Sequence, residues 1–141
     1  MNKIKILFLS MIPVLGLGQP ISKCDLNAIK LAYLNADNLS EKVCLDFILS
    51  IDTVCKNDVE FGEFSNETIF KILDKSPLVL LKTMDNFKSK INTQLILLMI
   101  QDPIQDGFDL IGIKKKIQGL DLKTDCKDEV IKSIDIAIDK R

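Results

Sequence analysis

From residue 25 onward, apolar positions recur at intervals of three and four, the period of a helix with one buried face. In DLNAIKLAYLNA (25–36), Leu26, Ile29 and Tyr33 fall on one side, behind an Asp25 cap. After a polar turn at 37–39, Ser40 caps a second helix, read as continuous to Cys55. Cys44, Phe47, Ile48, Ile51 and Cys55 form its stripe, and Lys56-Asn57-Asp58 ends it. Phe61 to Phe64, with Gly62 inside, reads as a short irregular link. Ser65 or Asn66 then caps a helix over 67–75. Ser76-Pro77 ends that helix and opens the next, to about Asp85, because proline suits the first helical position.

Phe87, Ile91, Leu95 and Leu98 follow at spacings of four, four and three, which predicts a core helix over 87–101 closed by Asp102-Pro103. Residues 108–118 carry Leu110, Ile113 and Ile117 on one side and stop at Gly119. Thr124 or Asp125 caps a last helix over 126–139, with Val130, Ile131, Ile134 and Ile138 inward. Its end also alternates with period two, but cap and length favour a helix. Seven helical segments and no strand hairpin predict an all-α fold. The expected architecture is a compact bundle, or a short solenoid-like array, of about six to seven helices stapled by disulfides. The hairpin around Ser76-Pro77 has the shape of one solenoid unit, yet no repeat of it is detectable.

The N-terminus breaks this pattern. Lys3 and Lys5 precede a stretch, Ile6 to Leu15, that is apolar except for Ser10, and Gly16 and Gly18 stand three and one positions before Gln19. These are the marks of an export signal cleaved after residue 18, leaving one helical domain over 19–141. Lysine directly before Cys24 excludes a lipid anchor there. The longest apolar run after the signal is Leu95 to Ile100, too short for a membrane span. Removing Lys3 and Lys5 lowers Lys+Arg from 19 to 17 against 20 Asp+Glu, a charge of −3. A mildly acidic chain lacks the positive field that nucleic acid demands. Nearly all its basic residues are lysine, and isoleucine and asparagine are plentiful, a bias that suggests an AT-rich bacterial genome.

The chain has no histidine. That removes Ser-His-Asp and Cys-His nucleophiles, the HExxH zinc site and mixed Cys/His zinc fingers. Four cysteines in an exported chain read as two disulfides rather than a metal site, since no CxxC spacing is present. Cys44 and Cys55 are eleven residues apart, about 16 Å along one helix, beyond the reach of a bridge. An antiparallel first hairpin brings Cys24 level with Cys55, so the expected pairs are Cys24–Cys55 and Cys44–Cys126.

Asp102 to Asp109 looks like a calcium loop until the positions are counted. Ile104 and Ile113 fall where carboxylate ligands are required, so no metal site is expected. Asn38-Leu39-Ser40 and Asn66-Glu67-Thr68 match the glycosylation pattern but sit where helix caps are needed. Lys114-Lys115-Lys116 reads as a solvated helix face. Glu60 and Glu63 are the best-placed carboxylate pair for acid–base chemistry, although solvation is the ordinary fate of such residues. With Phe61 and Phe64 they combine charge and aromatic anchors, the composition of a partner-binding segment.

The expected function is therefore that of a small exported, non-enzymatic binding protein, periplasmic or secreted. It would act on an unknown protein partner, in the manner of an inhibitor or immunity protein, through Glu60, Phe61, Glu63 and Phe64. No cofactor is expected. The alternatives are a carrier of a small molecule or lipid, and more remotely a carboxylate-dependent hydrolase.

Overall fold

The computed structural model describes residues 22–141; the expected leader and its cleavage point lie outside the described residues. Seven helices pack together: α1 (Leu26–Leu34), α2 (Glu41–Ser50), α3 (Val59–Lys75), α4 (Pro77–Asn86), α5 (Thr93–Gln101), α6 (Leu110–Gln118) and α7 (Asp125–Asp139). Two 3₁₀ turns, Ala36–Asn38 and Thr53–Asn57, interrupt them, and no strand occurs among the described residues. The fold is all-α, as the apolar periodicity predicts.

Local chemistry starts each helix. A free amide in the first turn needs an acceptor. Asp25 accepts from Asn27 N at 2.9 Å, Ser40 from Val43 N at 3.3 Å, and Asp58 from Phe61 N at 3.0 Å. Asn92, Asp109 and Thr124 do the same for α5, α6 and α7. The remaining helix, α4, has Pro77 in its first turn, where the missing N–H is no loss.

The longest helix among the described residues, α3, is also the central one. It packs on α1, α4, α5 and α6, and Ile69, Phe70, Ile72 and Leu73 are completely buried along it. α5 lies against α7, and α4 lies between α2 and α7. The buried apolar residues make one continuous cluster. Lys114 pairs with Asp135 and Lys116 with Asp74, so two residues of the run tie α6 to α7 and α3, while Lys115 and Lys116 stay exposed as the solvated-face reading expects. The Lys116 hydrogen bond holds the Asp74 carboxyl below the usual carboxylate range.

Three expected boundaries are corrected. The second helix stops at Ser50, not Cys55. Ile51 and Asp52 are extended, and the Asp52 side chain then starts the turn Thr53–Asn57 by accepting from Val54 N at 3.1 Å. The presumed link at 61–64 is helical. Asp58 begins α3 two turns earlier than Ser65 or Asn66 would, and Gly62 is carried within it at a cost of about 1 kcal/mol. The segment 87–101 is split, because Asn92 caps a new helix and residues 87–91 form a turn.

The bridge Cys24–Cys55 is present, with the α-carbons 5.6 Å apart. Its surroundings place it well: Cys24 N donates to Ser50 O at 2.9 Å, and Lys23 pairs with Asp52 at 3.2 Å. The expected partner bridge, Cys44–Cys126, is not formed; both cysteines are buried free thiols. Cys44 sits on α2 beside Thr83, and Cys126 sits on α7 beside Asp85, so the two approach α4 from opposite helices. Elimination among four cysteines had assumed that every one must pair. Burial pushes each thiol up to about 12. Native protein treated with iodoacetamide at neutral pH should gain no label, because the thiolate is the nucleophile. Unfolding without reductant should then label Cys44 and Cys126 alone, read by peptide mass. Labelling of neither would restore the second bridge.

Candidate functional site

α5 reads TQLILLMIQ and is apolar nearly all round. A helix of that kind belongs in an interior, yet only Ile96, Leu97 and Ile100 are buried against the core. Leu98 remains 49% exposed, with Leu95 and Met99 half-buried beside it. Of the stripe expected to face the core, Ile91 and Leu95 pack against it half-buried, while Leu98 looks outward.

This face forms one wall of a groove of about 420 Å³. The opposite wall is the turn Thr53–Asn57 with the start of α3, contributing Cys55, Phe61 and Gly62. Ile51 and Phe61, both 2% exposed, supply buried apolar lining, and Ile104, 54% exposed, stands on the rim. The volume falls within the range of small-molecule sites.

Asn66 sets the groove's shape. It is 2% exposed, and its amide is fully used. Nδ2 donates to Met99 O at 2.8 Å and Asp102 O at 3.2 Å, while Oδ1 accepts from Ile104 N at 3.0 Å. One side chain from α3 therefore fixes both the end of α5 and the rim residue Ile104. Its burial and engagement also leave no room for a glycan, and it caps no helix.

The four expected contact residues do not line one depression: Glu60, Glu63 and Phe64 share one and Phe61 lines another. Phe61 faces the groove as buried lining. Phe64 turns toward α1, its ring 5.4 Å from that of Tyr33. Glu60 and Glu63 are exposed and border a second depression with Phe64 and Glu67, which meets the groove at Ile104. The Tyr33 hydroxyl donates to Glu67 at 3.2 Å, which with the carboxylate's charge pushes the phenol above its usual range. Leu95, Leu98, Met99 and Ile104 were missed as site residues. For the three on α5 the signal was present, since that helix holds more apolar residues than one buried face can use; Ile104, beyond its end, carried none.

Asp102 and Asp109 do not join a metal cluster, and no group of three metal-ligating side chains occurs among the described residues. No helix among them is long and apolar enough to cross a membrane. No family model, curated protein or solved structure matches the chain. The site's chemistry therefore rests on its own geometry: an apolar, disulfide-flanked groove bordered by carboxylates.

Proposed function

We propose that this chain is a small exported binding protein that captures a macromolecular partner outside the cytoplasm and performs no catalysis. The observation that carries the reading is the outward apolar face of α5 across from α3. Burying such a face on a partner removes Leu98 and Ile104 from water. The Cys24–Cys55 bridge supports an oxidising compartment. It also braces one groove wall in advance, which lowers the ordering cost of docking.

Leu98→Asp with Ile104→Asp tests the reading better than changes at Phe61, whose ring is part of the interior. The double variant should lose partner capture in a pull-down from the producing cell's envelope fraction, while its helical circular dichroism and melting midpoint stay those of wild type. Undiminished capture would remove the groove from the function. The same groove volume favours one second reading, a carrier of an apolar small molecule. In that case an organic extract of the purified protein contains a stoichiometric ligand by mass spectrometry.

A further inference from the structure

We propose that the groove takes the apolar face of a cationic amphipathic helix, whose basic residues lie along a stripe of carboxylates on α3; this rests on the groove being the capture surface.

The form of the occupant follows from where the groove's polar groups lie. Its lining is mostly apolar, and the one buried amide in it, Asn66, has its donors and acceptor committed to Met99, Asp102 and Ile104. An extended or irregular peptide would lose water from its backbone amides and carbonyls over the apolar floor of Ile51, Phe61, Leu95 and Met99, and would find polar side chains only at the edge, from Thr53, Lys56 and Asp102. A helix closes those bonds internally and offers only side chains. Gly62 leaves room for it: a Cβ built there meets nothing within 4 Å.

The sign of the charge follows from α3. Glu60, Glu63 and Glu67 are spaced by three and four residues, so their carboxylates share one side of the helix. That side meets the groove at Ile104. Like charges at these spacings repel. No lysine or arginine reaches within 4 Å of Glu60 or Glu63 among the described residues. The stripe is a standing repulsion that basic side chains beside the groove would relieve. Lys56 is the opposing feature: an exposed ammonium in the groove's lining, within 4 Å of no carboxylate among the described residues. It would seat an anionic head, and the experiment includes that outcome.

The test is fluorescence anisotropy on the purified protein at about 0.15 M salt, with two labelled peptides of about 18 residues, or five helical turns. One has Leu on one face and Lys on the other; its twin has Glu in place of Lys. The Leu/Lys peptide should bind, and the Leu/Glu twin should bind at least about tenfold more weakly. Glu60→Lys with Glu63→Lys should reverse that preference. Gly62→Leu should abolish binding of both peptides without lowering the melting midpoint, because leucine fills the open space and is the better helix former.

Failure to bind the Leu/Lys peptide overturns the inference. If Gly62→Leu blocks binding but charge reversal changes nothing, the groove stands as a capture surface and the cationic partner falls. If charge reversal matters and Gly62→Leu does not, the peptide rests on the stripe alone and groove docking falls. A dansyl-labelled fatty acid that binds in the groove, is lost in Gly62→Leu and weakens in Lys56→Glu would replace the peptide by an anionic amphiphile.

Discussion

Replacing Asn66 with alanine should destabilise the protein by about 3–4 kcal/mol and loosen the groove's rim. The change removes the three hydrogen bonds to Met99 O, Asp102 O and Ile104 N. It supplies no substitute at a position 2% exposed. A typical bond contributes about 1 kcal/mol net, so the three together account for about 3 kcal/mol, and the packing lost at a buried side chain adds the rest. Asn66→Asp separates this account from simple packing. Aspartate has almost the same shape and keeps an acceptor for Ile104 N, but it aims a carboxylate oxygen at two carbonyl oxygens. It should therefore be at least as damaging as alanine despite filling the space. Urea unfolding gives the stabilities, and hydrogen exchange at residues 99–104 should rise ahead of the core in both variants. An Asn66→Asp protein as stable as wild type would show that the amide does not hold the turn.

Asn66 also shows why the site was less legible than the fold. Asparagine favours helix caps and turns, so a sequence reading places it at a helix start. Its actual role depends on the chain more than thirty residues later, and no local pattern carries that. Gly62 misled in the same direction, since glycine is poor inside helices, while the Asp58 cap that decides the matter resembled the end of the preceding helix. Helix identity survived such errors. Asp25, Ser40, Asp109 and Thr124 announce their helices through short side chains that reach the next free amides, and Pro77 announces α4.

Periodicity fared differently along α5. Spacing alone finds a helix there, but several adjacent stripes of Leu95 to Ile100 satisfy the same period. Which one faces inward is set by α3 and α7, so Leu98 was expected inside and stands outside. Glu60 and Glu63 were legible as exposed carboxylates, while the grouping of Phe61 with Phe64 was not. Helical geometry sends those two rings toward different neighbours once residues 59–75 are one helix.

Opening the Cys24–Cys55 bridge should have the other large effect, on stability and on capture together. The cysteines are 31 residues apart in sequence, and closing a loop of that length in the unfolded chain stabilises the folded form by about 3–4 kcal/mol on the chain-entropy account. For a domain of this size the loss corresponds to a fall in melting midpoint of about 10–15 °C. Reduced wild type and a Cys24→Ser, Cys55→Ser double variant should melt at similar temperatures, and adding reductant to the variant should change nothing further. The remaining thiols, Cys44 and Cys126, are already free and cannot contribute. Locally, the turn Thr53–Asn57 would keep its Asp52 cap but lose its covalent tie to the segment before α1. Cys55 and Lys56 would then no longer be held opposite Leu98. Affinity for the groove's occupant should therefore fall even well below the melting transition, by about tenfold if docking must pay to reorder the wall. The measurement is a binding titration at about 15 °C with and without reductant, alongside a melting curve for each sample. A lowered midpoint with unchanged affinity would mean that the bridge stabilises the fold but plays no part in shaping the groove; an unchanged midpoint would contradict the loop-closure account.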